Sequence, residues 1–196
     1  MLNIHTLTLG LYQTNTYILY DDSSSRCCVI DPGYESHTIL DTVASLGKTV
    51  EAVLLTHGHF DHVGAVKQLV SDADCPVYLC PEELSLPAML TAGKLYYTHT
   101  YGHGDVLNLA GLEIHVRHTP GHTPGSVCLL CEDAMFSGDT LFAGSCGRTD
   151  LPGGDWATIC RSLQTLAAID GDLRVFPGHG EDTTLSAEKR YNPYLR

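Results

Sequence analysis

Residues 54–66 read LLTHGHFDHVGAV, and no other stretch restricts the fold as strongly. An apolar run, the pattern of a buried strand, ends directly in His57, His59, Asp61 and His62. His57 and His59 are two apart and can point the same way from an extended loop, while the adjacent Asp61 and His62 can face a second point. Four such side chains describe half of a two-metal site. The rest of that site has to come from distant loops, so the fold must bring strand ends together here.

The sequence offers those loops. Residues 118–126 read HTPGHTPGS, 136–142 FSGDTLF and 177–180 PGHG, and a DPG turn stands at 31–33. His122 is the best third ligand for the first ion. Gly121 and Gly125 permit a tight loop around it, and Pro120 and Pro124 stiffen that loop. His118 lies close enough to compete for the role. His179 suits the second ion, and Asp139, at the end of a strand, could bridge both through one carboxylate. His5, His37, His99, His103 and His115 have no such surroundings.

The elements read from periodicity fit this picture. IHTLTL, NTYILY and CCVID alternate as strands, and SHTILDTVASLGK has helical spacing. VEAVLL is a buried strand, HVGAVKQLVSD one helix, PVYLC a strand and PEELSLPAML a short helix. LEIHVRHT, SVCLLCED and AMFSGD are strands, DWATICRSLQTLAAI is a helix capped by Asp155, and DLRVFPGHG is a strand. We expect an α+β fold of two mixed sheets between helices, with the site where strands end. With no linker, low-complexity tract or repeat, residues 1–196 read as a single domain.

Composition narrows the partners. The formal net charge of −12 and the absence of a Lys/Arg run disfavour nucleic acid. No segment is apolar and long enough to span a membrane, and the N-terminus lacks the look of a signal peptide. The eight cysteines sit mostly in apolar runs, which suggests reduced, buried thiols and a cytoplasmic protein. Cys128 and Cys131 have CxxC spacing, but on a strand they face opposite sides, so a redox pair is not expected.

THGHFDHVGA, HTPGHTPGS, FSGDTLF and PGHG, in that order, resemble the metallo-β-lactamase superfamily. Within it, FSGDTLFAGSCGRTDLPGGD (136–155) and PGHGEDTTLSAEKRYNPYL (177–195) are similar to short bacterial glyoxalase II-like proteins. The resemblance implies an αββα sandwich. It implies His57, His59 and His122 on one divalent ion, Asp61, His62 and His179 on the other, and Asp139 between them. Asp31 then supports the ligands. Zinc is the first candidate, with iron or manganese as alternatives.

The implied reaction is hydrolysis of S-lactoylglutathione or a similar small thioester by a hydroxide shared between the ions, with Asp61 and Asp139 as catalytic carboxylates. Only seventeen residues follow His179, so the C-terminal glutathione-binding helical domain of longer relatives is not expected. Class B1 β-lactamases carry a cysteine ligand where Asp139 stands, which argues against that activity. Three alternatives remain: another acyl or lactone hydrolase, an iron-dependent persulfide dioxygenase-like enzyme, and a metal-binding protein without turnover.

Arg148 could meet a substrate carboxylate, or pair locally with Asp150 or Asp155. Phe60, Phe142, Tyr96, Tyr97 and Tyr101 could line a pocket, and the KLYYTHTYGHGD segment has the look of a loop facing the site. The sequence leaves the oligomeric state open.

Overall fold

The computed structural model describes residues 1–195. The first half of the chain forms one mixed sheet. Strands β1 (Leu2–Leu9), β2 (Thr14–Asp21) and β3 (Arg26–Ile30) run antiparallel in succession. Helix α1 (Ser36–Ser45) then crosses over to β4 (Thr49–Leu54), which pairs parallel with β3. Helices α2 (Phe60–Val63) and α3 (Val66–Ala73) lead to β5 (Val77–Leu79), and β6 (His99–Thr100) closes the far edge.

The second half forms the other sheet. It contains β7 (Val106–Leu109), β8 (Leu112–His118), β9 (Val127–Cys131) and β10 (Ala134–Gly138). A small ribbon of β11 (Leu141–Phe142) and β12 (Ser145–Cys146) follows, then helix α4 (Trp156–Ala167), β13 (Arg174–Pro177), β14 (Thr183–Thr184) and helix α5 (Leu185–Tyr191). The order across this sheet is β14-β13-β10-β9-β8-β7.

Side-chain alternation along the strands makes the layers. Leu19, Cys28, Ile30 and Leu54 of the first sheet face Ile114, Leu129, Phe136 and Phe176 of the second in one buried core. Their neighbours Ile18, Cys27, Val29 and Val53 turn outward to Ile39 and Val43 of α1 and Val66 and Leu69 of α3. On the other side, Cys128, Met135 and Val175 meet Ile159, Leu163 and Leu166, the apolar stripe of α4. The result is the expected αββα sandwich. Each fully buried Leu or Ile stabilises it by about 1.5–3 kcal/mol.

The Asp155 side chain accepts the Thr158 N–H at 2.8 Å and caps α4, as the sequence suggests. All eight cysteines are free, and Cys128 and Cys131 do lie in different cores. No helix among the described residues is long and apolar enough to cross a membrane.

Two local expectations fail. HVGAVKQLVSD is not one helix: the chain breaks at Gly64 and Ala65, where the Ala65 N–H turns to the Pro32 carbonyl at 3.0 Å. A β-carbon on Gly64 would lie 2.5 Å from the Gly33 carbonyl oxygen, so the DPG turn occupies the space a continuous helix needs. PEELSLPAML gives only a 3₁₀ turn over Pro81–Ser85. Leu86 is extended because Pro87 follows it, and a residue before proline is kept out of the helical region.

Candidate metal centre

All the ligand-bearing loops open at one edge of the sandwich. Strand β4 delivers Thr56 and His57, and the extended backbone of His59 starts α2, so Asp61 and His62 sit on its single turn. The second sheet supplies His122 from the loop after β8, Asp139 directly after β10, and His179 two residues beyond β13. His57, His59, His62 and His122 are at most 5% exposed, and the His179 side chain is 29% exposed.

The donor atoms converge in two groups. In His57, His59 and His122 they lie within 4.8 Å of one another, as they do in Asp61, His62 and His179. His59 Nδ1 faces His122 Nε2 at 2.9 Å, and His62 Nε2 faces His179 Nε2 at 3.3 Å. Asp139 stands between the groups. Its Oδ2 is 3.5 Å from His122 Nε2 and 3.7 Å from His179 Nε2, while Oδ1 is 3.4 Å from His62 Nε2. His118 joins neither group, because its Nε2 is taken by the Pro124 carbonyl at 2.8 Å.

A divalent cation fits these residues. His57 Nε2 and Asp139 Oδ1 are buried polar atoms without a hydrogen-bond partner, and such atoms are costly unless something binds them. The imidazole and carboxylate donor set suits zinc, iron or manganese.

The opposite side of four of the five rings is held. His62 Nδ1 bonds Asp31 Oδ2 at 2.9 Å, His122 Nδ1 the Arg148 carbonyl at 2.8 Å, and His179 Nδ1 the Tyr12 carbonyl at 3.1 Å. His57 Nδ1 meets the Thr56 hydroxyl at 3.1 Å, and that hydroxyl donates to Asp31 Oδ2 at 2.6 Å. Partners of this kind fix the tautomer and aim the free nitrogen inward.

Electrostatics follow from burial and crowding. Burial, then the neighbouring histidines, push His57 well below its ordinary pKa. Burial and His122 take His59 down to about 4, so both rings are neutral and offer lone pairs at pH 7. Burial acts the same way on His62, but Asp139, Asp31 and Asp61 outweigh it and raise it to about 9. For Asp61, burial is overcome by the hydrogen bond with His179 and the charge of His62, which hold the carboxyl well below its usual range.

A cavity of about 460 Å³ opens over the centre, walled by Tyr12, Phe60, Leu90, Phe142 and Leu151 with Arg148 at its side. Phe60 and Phe142 are therefore where the sequence suggests. Tyr96, Tyr97 and Tyr101 are not: none of the segment from 94 to 105 lines this cavity. Tyr101 is buried and donates to the Leu55 carbonyl, propping the end of β4 instead. The Arg148 guanidinium makes a bidentate pair with Asp150, both bonds 2.7 Å, while Asp155 is occupied with its cap.

Sequence reasoning missed several supports. Asn15 donates to the Pro177 and Gly180 carbonyls at 3.0 and 2.9 Å and pins the PGHG loop. Thr14 donates to Asp61 Oδ2 at 3.2 Å. Glu83, fully buried, accepts the N–H of Gly58 with one oxygen and that of Gly125 with the other, tying the first two ligand loops together. A β-carbon at Gly125 would lie 2.8 Å from the Glu83 backbone nitrogen, so glycine is what lets the loop approach. At Gly178 a β-carbon would lie 2.2 Å from Asp139 Oδ1, inside the centre itself.

Comparison with known proteins places this arrangement. A family model described as the metallo-beta-lactamase superfamily matches residues 9–179. Hydroxyacylglutathione hydrolase GloC of Haemophilus influenzae is 34% identical over 99% of this chain and 98% of its own length. The BLEG-1 B3 metallo-beta-lactamase crystal structure matches with a TM-score of 0.89 at 35% identity, covering 100% of this chain and 99% of that one. TTHA1623 in a di-iron-bound form matches with a TM-score of 0.86 at 39% identity, covering 97% and 100%.

Proposed function

Since the chain belongs to the metallo-β-lactamase superfamily, we propose that it is a binuclear metal-dependent thioesterase of the glyoxalase II type. The observation that carries this reading is the pair of triads with Asp139 reaching both and two buried atoms, His57 Nε2 and Asp139 Oδ1, left unpartnered. In this reading His57, His59 and His122 would hold one ion and Asp61, His62 and His179 the other, with Asp139 within reach of both triads. Divalent ions at these positions supply a Lewis acid for an acyl carbonyl and lower the pKa of water toward about 7.

The chain's own groups do the rest. Asp61, kept ionised by His62 and His179, orients the attacking water. Tyr12, Phe60 and Phe142 offer an apolar wall against the acyl group. A thioester suits the site because its thiolate leaves with little need of a proton donor. Arg148 can exchange Asp150 for a substrate carboxylate at small cost, since both partners are more than half exposed. S-lactoylglutathione, or a related small thioester, is the substrate this reading favours, on the likeness to GloC. An oxidation at a single iron would leave the second triad without a role.

The test is hydrolysis of S-D-lactoylglutathione by purified protein whose metal content is measured on the same sample. Turnover with two ions per chain, abolished in His59→Ala, supports the reading. Two ions without turnover moves the substrate to other thioesters and lactones. One iron per chain with oxygen consumption and no hydrolysis overturns it. The likeness to BLEG-1 favours β-lactam hydrolysis as the second reading, assayed with a chromogenic cephalosporin.

A further inference from the structure

Apart from the groups at the centre, one other cluster of metal-capable side chains lies among the described residues: Cys80, Glu82 and His118, with donor atoms within 4.8 Å of one another. None of the three belongs to the centre above. Cys80 stands at the end of β5, Glu82 on the 3₁₀ turn and His118 at the end of β8, so two sheets and a turn meet here. None of the other seven cysteines joins such a group among the described residues.

The hydrogen bonds of the three fix what each could offer an ion. His118 Nε2 bonds the Pro124 carbonyl at 2.8 Å. A backbone carbonyl can only accept, so Nε2 carries the proton and Nδ1 keeps its lone pair, the arrangement found behind metal-ligating histidines. The Cys80 thiol donates to Glu82 Oε2 at 3.0 Å, so an ion entering here would take the place of the proton between the two groups. Tetrahedral zinc, with bonds of about 2.0–2.3 Å, sets its ligands about 3.3–3.8 Å apart. Glu82 is exposed and its side chain can rotate to close the remainder.

We propose that Cys80, Glu82 and His118 form a second, separate site for a thiolate-seeking divalent cation, zinc above all. A thiolate and a carboxylate balance the charge of the ion, and the imidazole completes three protein ligands with a fourth position for water. On binding, the Cys80 thiol releases its proton to solvent. The site touches the centre through the chain at two places. Glu83, next to Glu82, ties Gly58 to Gly125, and Pro124, bonded to His118, belongs to the His122 loop. An ion here therefore braces the loops that carry His57, His59 and His122.

Cobalt(II) separates the two sites, because the centre's ligands are nitrogen and oxygen only, whereas a thiolate ligand gives an intense near-ultraviolet charge-transfer band. Titrating the metal-stripped protein with cobalt should give that band, and zinc added afterwards should bleach it. Cys80→Ser should remove the band while the centre keeps its ions, and Glu82→Gln, a surface change that leaves the fold alone, should weaken the affinity at least tenfold. Absence of the band at saturating cobalt overturns the proposal. So does a band that persists in Cys80→Ser, which would place the thiolate elsewhere, Cys146 at the cavity included. The measurement reads metal and not turnover, so it stands apart from the thioesterase reading.

Discussion

Asp31 holds His62 through a 2.9 Å hydrogen bond to Nδ1, and with the same carboxylate it takes both the N–H and the hydroxyl of Thr56. One buried group thus fixes a ring of the second triad and the residue that leads into the first. Asp31 itself has φ near +49°, a left-handed conformation that aspartate and asparagine tolerate better than most residues. Asp31→Asn therefore keeps the backbone and removes only the charge and one acceptor. We expect metal affinity to fall by about 10–100-fold, read by competition against a chromophoric chelator.

Glu83 is the corresponding tie for the first triad. Glu83→Gln keeps one acceptor and turns an NH₂ group toward the other backbone N–H, which is buried. The expected cost is about 1–3 kcal/mol of unfolding free energy, measured by urea denaturation of the metal-stripped protein. Loss of the ion on His57, His59 and His122 should precede loss on the other triad as chelator is raised. An unchanged midpoint would mean that the two loops hold together without it.

The metal-stripped protein should be most stable near pH 6.5. His62 is raised from 6.5 to about 9, so its contribution is complete below pH 6.5 and disappears as pH climbs to 9. His59 is lowered from 6.5 to about 4, and His57 is lowered too, so their contribution is present above pH 6.5 and fades as pH falls. Denaturation midpoints across this range check the sign. Zinc should flatten the alkaline limb, since a cation takes the place of the proton on His62.

Arg148 acts on the centre through its backbone. What reaches His122 is the Arg148 carbonyl, and the guanidinium is spent on Asp150. Arg148→Ala should therefore leave both metal content and the unfolding midpoint essentially unchanged. If the substrate carries a carboxylate that replaces Asp150, KM rises several-fold while kcat holds. A fall in kcat alone would assign the side chain a part in the reaction instead.

The site was legible in the sequence to the extent that chemistry is written in short runs. Histidines at fixed spacing after an apolar strand, and glycine-flanked His122 and His179, can be read without a fold. Glu83, Asn15 and Thr14 could not, because each acts by a hydrogen bond to a backbone or side chain 25 or more residues away, and nothing local distinguishes such a residue from any other polar one. The same holds for the error over Tyr101. An aromatic near a motif in sequence gives no direction, and its hydroxyl turned out to serve the Leu55 carbonyl. The layers were readable because the apolar runs of β3 and β9 mark strands covered on both faces, while the alternation of β8 marks one face as exposed. The two-residue strands β6, β11, β12 and β14 are too short to alternate at all.

Each triad takes two ligands from the connection after β4 and one from the second sheet: His57 and His59 with His122, Asp61 and His62 with His179. An ion at either place is a clasp across the two halves of the chain. Its binding free energy is then also docking energy between the sheets, and a half that has come away keeps no more than two of the three ligands of either triad. Metal loading would report whether the molecule has finished assembling, and a chelator would act as a denaturant aimed at one seam.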